Sequence, residues 1–264
     1  TLNRLLPDGV LPKRLANRAA HIPTHSRGFA DGKVNVILKG KIKMTKMEKW
    51  RGDGLDLRLA LNSFHTYEET LNAQAAAIRG EVPKHVPGLG YCTTAFDPSL
   101  GPPDGETWWF WTGLLPFEPK VGVEKAREKF AKTVIEQSSF YYEGLDELEI
   151  AHKALLPQDI EERFHAVDGS VYHVDPVVTR FGPAKPAWKF GGYSTPVPGL
   201  FLTGSGTHPV AGISGMPGQN AAKTMLKLFR REDKKGKSAH ALEEARAWEQ
   251  AMAEDWLGRW AMNL

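Results

Sequence analysis

With 264 residues, the chain has room for one large domain or two small ones and can bury a substantial core. Apolar residues make up 41% and charged residues 25%, an ordinary balance for a soluble globular protein. The net charge of +3 by itself argues neither for nor against nucleic acid.

The one basic cluster (Arg230, Arg231, Lys234, Lys235, Lys237) reads as a solvated helix end and linker, so no nucleic-acid partner is expected. Cys92 is the single cysteine, which excludes an internal disulfide, a cysteine zinc cluster and a dithiol redox pair. A lone cysteine reads as a small core residue. No metal-ligand spacing is present, so no metal is expected. No stretch approaches the roughly 18 apolar residues of a membrane-spanning helix, and no signal peptide is visible. A cytoplasmic location is expected, with peripheral membrane contact left open.

Residues 1–28 read as a connecting segment, with Leu5 and Leu6 before the turn Pro7-Asp8-Gly9 and a short helix over 11–20 begun by Pro12. Alternation predicts a strand at 33–38 and a second strand at 56–61; the basic segment 39–49 between them reads as a solvated hairpin, the alternative being a lip of a substrate mouth. Residues 67–79 predict a helix. Thr66 and Glu69 are spaced as a capping box, and Gly80 stops the helix. Residues 89–96 read as a strand.

A further strand is predicted at 106–114. Its alternation puts Trp108 and Phe110 on one face and Trp109 and Trp111 on the other. Either pair can pack in a core; Trp109 and Trp111 are the candidates for lining an apolar substrate cavity. Residues 123–142 carry helical spacing, with Val123, Ala126, Phe130, Val134 and Ser138 on one side. Residues 157–164 read as a short helix with acidic residues in its first turn.

The most informative stretch is 196–226. It reads as a buried strand at 200–203, a glycine loop over 204–215, and a helix over 216–229 with Ala222, Met225, Leu226 and Phe229 on one side. Glycines let a ligand approach the backbone, and a helix start offers free N–H groups and a positive dipole end. A last helix is predicted over 239–257, with Trp248, Met252 and Trp256 at spacing four. It packs on its own domain or docks a partner chain.

The run Thr195-Pro196-Val197-Pro198-Gly199-Leu200-Phe201-Leu202, followed by Gly204-Ser205-Gly206-Thr207-His208-Pro209 and then Gly212, Gly215, Gly218, Ala221 and Ala222, resembles a known motif. It is the C-terminal flavin-binding motif of the phytoene desaturase-like FAD oxidoreductases. That group includes carotenoid desaturases and isomerases and pyridine nucleotide-disulfide oxidoreductase-like proteins. The resemblance implies an α/β (α+β) chain, the C-terminal part of a two-domain, glutathione reductase-like flavoprotein with a mixed or antiparallel-sheet substrate domain. On that pattern 1–28 connects to the flavin domain, 29–165 is the substrate domain, 166–232 completes the flavin domain, and 233–264 is a C-terminal helix.

The resemblance further implies FAD as cofactor. It places Gly204, Ser205, Gly206, Thr207, His208, Gly212, Ile213, Ser214, Gly215, Met216, Gly218 and Asn220 along the flavin. The implied chemistry is hydride transfer from a substrate carbon to flavin N5, on a largely apolar small molecule. His208, the one titratable side chain in the motif, is the candidate base or proton shuttle; the alternative is that it braces the loop. At Lys185 many relatives carry arginine, so a ligand role there loses the bidentate fork.

The family's opening Gly-x-Gly-x-x-Gly is absent from these residues. A partner polypeptide carrying that N-terminal FAD-binding half is therefore expected. Two other functions stay open: flavin-dependent isomerisation of a polyene without net redox change, and a flavin-less interaction or lipid-binding subunit.

Overall fold

The computed structural model describes residues 2–24, 28–175, 177–209 and 213–233. The chain divides into two compact units, one of residues 23–175 and one of residues 1–22 with 176–264.

The first unit is built on a four-stranded antiparallel sheet. Its strands are β1 (Phe29–Leu38), β2 (Leu89–Cys92), β3 (Glu106–Pro116) and β4 (Glu149–Leu155), in the order β2-β3-β1-β4. The period-2 pattern decides which side chains go inside. Val34, Val36 and Leu38 of β1 and Trp108 and Phe110 of β3 are buried, and the register sets Val34 opposite Phe110 and Val36 opposite Trp108. Helix Val123–Ser139 covers this face with Ala126, Phe130, Val134 and Ser138, on the side that the spacing predicts. Trp108 meets Tyr142 edge-on, with ring centroids 5.4 Å apart. Burial pushes the Tyr142 hydroxyl up to about 12.

Helix Tyr67–Ile78 starts with the expected capping box. The Thr66 hydroxyl oxygen accepts from the Glu69 N–H at 3.2 Å, and the Glu69 carboxylate accepts from the Thr66 N–H at 2.6 Å. Cys92 is fully buried, and burial pushes its thiol up, as suits a core residue.

Three expected elements differ. Residues 39–49 do not form a solvated hairpin: Ile42 and Met44 are each 1% exposed, and helix Thr45–Arg51 follows. Lys41 and Lys43 alternate outward while the two apolar chains enter the core. The Ile42 N–H donates to the buried Glu106 carboxylate at 2.9 Å. Residues 56–61 form a 3₁₀ turn, Leu57–Leu59, instead of a strand. The Asp56 carboxylate accepts the Arg58 N–H at 2.9 Å, closing a local turn that competes with strand pairing. Residues 89–96 are a strand only to Cys92 and then turn helically over Thr93–Phe96.

In the second unit, the elements of seven or more residues among the described residues are helices Lys13–Ala20 and Met216–Asp233. Leu2, Leu11, Ala187 and Phe190 form a small core, against which Leu200 and Leu202 pack. The expected buried strand at 200–203 is a single bridge, Phe201 opposite Ser194, with Leu200, Phe201 and Leu202 half-buried and Thr203 exposed. One bridge among the described residues does not make a ladder. On helix Met216–Asp233, Ala221 is buried, whereas Ala222 is exposed and leaves the apolar side that the spacing gave it. Phe229 meets Phe201 edge-on at 6.4 Å. The helix expected over 239–257 lies outside the described residues.

Candidate functional site

The glycine loop is shaped by hydrogen bonds within its own unit. Gly204 takes φ 89°, a conformation that glycine adopts without strain. The Thr207 N–H and hydroxyl both donate to the Gly204 carbonyl, at 3.0 and 2.9 Å, closing the turn 204–207. Lys185 is buried, and its Nζ donates to the Ser205 carbonyl at 2.6 Å. Burial lowers the pKa of that amine.

Tyr193 is the pivot between loop and helix. Its hydroxyl donates to the His208 carbonyl at 2.9 Å and accepts from the Asn220 amide at 2.9 Å. Asn220 and Thr207, read from the sequence as polar contacts to a ligand, have side chains engaged in holding the loop. The brace at His208 runs through its backbone carbonyl, while its ring Nδ1 is buried with no hydrogen-bond partner among the described residues. Tyr193 went unnoticed in the sequence because an aromatic after Gly191-Gly192 carries no spacing signal.

The other motif residues are presented outward. Ile213, Ser214, Gly215, Met216 and Gly218 are exposed, and Ser205 and Gly206 are half-buried. A Cβ built on Gly204, Gly215 or Gly218 would meet nothing within 4 Å. The Ser214 hydroxyl oxygen accepts from the Met216 N–H at 3.4 Å, at the start of the 18-residue helix Met216–Asp233. The first N–H groups of such a helix have no partner within it, and its positive dipole end favours a negative or electron-rich group. Gly212 lies outside the described residues.

Trp109 and Trp111 sit in the other unit, on the sheet face turned from the core, and both are half-buried. Trp109 lies 5.5 Å from the Tyr91 ring, centroid to centroid, and the Lys33 Nζ stands 4.7 Å from the Trp109 ring centre. The alternation placed both tryptophans on this face; it gave no sign of the cation above them. Among the described residues, no three His, Cys, Asp or Glu are placed to hold a metal, and no helix is long and apolar enough to cross a membrane.

No protein-family model matches the chain. It is 27% identical over 233 residues to pyridine nucleotide-disulfide oxidoreductase domain-containing protein 2 of Mus musculus, a match covering 86% of this chain and 40% of that protein. The Rattus norvegicus protein of the same name is 26% identical over the same length. Phytoene desaturase (lycopene-forming) of Pantoea ananas is 33% identical over 88 residues, which is 33% of this chain and 17% of that protein. The chain thus spans about two fifths of the length of the first two relatives. The resemblance carried by the glycine motif holds: the chain is similar, at low identity and over part of their lengths, to pyridine nucleotide-disulfide oxidoreductase domain-containing protein 2 and to phytoene desaturases.

Proposed function

We propose that the chain is the part of an FAD-dependent oxidoreductase that contacts the flavin ring and the substrate. The relatives' names supply the reaction class. The observation that carries the cofactor reading is the glycine loop leading to the exposed start of helix Met216–Asp233, where Ser214, Gly215, Met216 and Gly218 are all exposed and a Cβ on Gly215 or Gly218 would meet nothing. The residues fit the group: the loop leads to an exposed helix start, and the buried His208 Nδ1 has no hydrogen-bond partner among the described residues.

On this reading Gly204, Ser205, Gly206, Gly215, Met216 and Gly218 hold the isoalloxazine and ribityl end. Bound FAD would supply a two-electron acceptor that takes hydride at N5 from a substrate carbon. The helix start favours the negative charge that the reduced ring carries. Tyr193, Asn220, Thr207 and Lys185 hold the loop so that it needs little rearrangement on binding. On this reading His208 is the candidate to hold or pass a proton, its ring Nδ1 having no hydrogen-bond partner among the described residues.

The pyrophosphate and adenine call for a Gly-x-Gly-x-x-Gly segment that these 264 residues do not contain. That segment lies outside these residues, and the proposed cofactor site is complete only with it. A visible absorption spectrum of the natively purified protein, with intact masses of every chain present, tests the reading. Flavin bands together with a polypeptide carrying that glycine motif are expected. A colourless sample in which the motif-bearing polypeptide is present and FAD has been added would overturn it.

A further inference from the structure

On the outward face of the sheet, Lys33 is a cation with no carboxylate paired to it among the described residues, although the buried Asp31 carboxylate lies near Trp111 beside Gly113. Lys33 lies in the middle of β1, half-buried, with its Nζ 4.7 Å from the centre of the Trp109 ring. Among the described residues it has neither a carboxylate partner nor a hydrogen bond. Burial lowers the pKa of its amine, as expected of a cation partly stripped of water. A cation over an indole recovers only part of what is lost when water is stripped from it.

The strand register shows what surrounds it. One row across the sheet runs Leu89, Trp111, Lys33, Leu155, and the next runs Tyr91, Trp109, Asn35, Lys153. Neither row contains an acidic side chain. Asp31, two residues before Lys33, is buried and has an interaction of its own. The face therefore offers aromatic and aliphatic surface with the half-buried Lys33 ammonium, the Asn35 amide beside it and the exposed Lys153 at the end of its row. An entirely apolar ligand would leave that ammonium dry and unpaired, which is costly. The rows hold no arginine fork of the kind that suits a phosphate. The half-buried Lys33 ammonium and the Asn35 amide in the next row suit a monoanion with two oxygens, with the exposed Lys153 left to solvent.

We propose that this face binds an amphiphile with a single carboxylate head, the head on Lys33 and the apolar body along Trp109, Trp111 and Tyr91. That such a molecule is the substrate rests on the oxidoreductase reading; that it binds here does not. The proposal narrows the apolar substrate class to one with an anionic end, and it makes Lys33 the residue that selects for that end.

The test uses the full chain, titrated with decanoate and separately with decan-1-ol, both below their aggregation limits. Tryptophan emission and calorimetry give the affinities for the wild type, K33M and K33R. Decanoate is expected to bind the wild type about tenfold more tightly than decanol, a difference of about 1.4 kcal/mol. In K33M that preference should shrink to within about twofold with decanol affinity unchanged, and K33R should keep most of it. Unchanged melting temperatures show that the variants fold.

Equal affinity for the two probes, an undiminished preference in K33M, or no binding of either overturns the proposal. So does emission that responds only to phosphatidylglycerol vesicles, which would assign the face to a lipid surface. Flavin absorbance is read on the same samples. Retained flavin without a carboxylate preference defeats this proposal alone, and a carboxylate preference in protein that refuses added FAD with the motif-bearing polypeptide present defeats the cofactor reading alone.

Discussion

The sheet unit and the glycine-loop unit are held together by different means. In the sheet unit, Phe130, Val134 and Leu145 are wholly buried, and the buried Glu106 is matched by the Ile42 N–H and by Arg58. In the loop unit the core cluster is Leu2, Leu11, Ala187 and Phe190, and the loop is shaped by single hydrogen bonds from Lys185, Tyr193 and Asn220. The first region is specified by what its side chains fill, the second by what its glycines leave empty. Removing atoms should therefore destabilise the first, and adding atoms should cost the second its ligand and not its fold.

The largest effect belongs at Trp108, which is 1% exposed between Phe110 and Tyr142. W108A should cost about 3–5 kcal/mol, read as a lowered denaturant midpoint, because the cavity cannot fully collapse. A loss under about 1 kcal/mol would mean that packing does not dominate there. Next comes Glu106, 2% exposed and accepting from Arg58 at 2.5 Å and from Ile42 at 2.9 Å. E106A should cost about 3 kcal/mol, since it strands a buried N–H and strips a guanidinium of one partner. The same variant should loosen residues 39–49, seen as faster amide exchange at Ile42.

That basic segment also marks where the sequence stopped being legible. Helix Tyr67–Ile78 was readable because Thr66, Glu69 and Gly80 act within a few residues of chain. The faces of β3 and of helix Val123–Ser139 were readable because period alone sorts Trp108 from Trp109 and Phe130 from its neighbours. Residues 39–49 and 56–61 were not, because their conformations depend on partners far away in sequence. Glu106 takes the Ile42 N–H across 64 positions, and Arg58 reaches Glu106 across 48. The site divides in the same way. Its glycines are visible as letters, whereas the Tyr193 pivot and the Lys33 ammonium over Trp109 exist only once the chain is folded.

A smaller effect tests an ion pair at the border of the packed region. Arg127 pairs with Asp159, whose carboxylate also accepts the Leu156 N–H at 2.7 Å. Burial raises the Asp159 pKa, but the hydrogen bonds from Arg127 and Leu156 outweigh it, and the net shift is downward. A carboxyl whose folded pKa lies below its unfolded value stabilises the fold above the unfolded value, about 3.9. That contribution is lost as pH falls through the folded value. Discounted for solvent screening, D159N should be about 1 kcal/mol less stable than the wild type at neutral pH. The gap should close as the pH drops below about 4. A gap that is constant with pH would assign the cost to helix capping instead of charge.

The smallest change in stability carries the most information about the loop. Gly218 is the third residue of helix Met216–Asp233, and a Cβ there would meet nothing within 4 Å. It has no positive φ to demand glycine. Alanine at such a helical site should stabilise the fold by about 0.5–1 kcal/mol, because glycine has the greater freedom to lose on folding. G218A should therefore melt no lower than the wild type. Its methyl would nevertheless stand in the space assigned to the flavin, so FAD retention should fall at least about tenfold, equivalent to about 1.4 kcal/mol. A stable G218A protein that keeps its flavin would show that this open space is not where the ring lies, and the cofactor reading would lose the observation that carries it. A G218A protein that loses both flavin and stability would show that the glycine serves the fold, and the contrast between a region defined by filling and one defined by emptiness would fail at the residue chosen to test it.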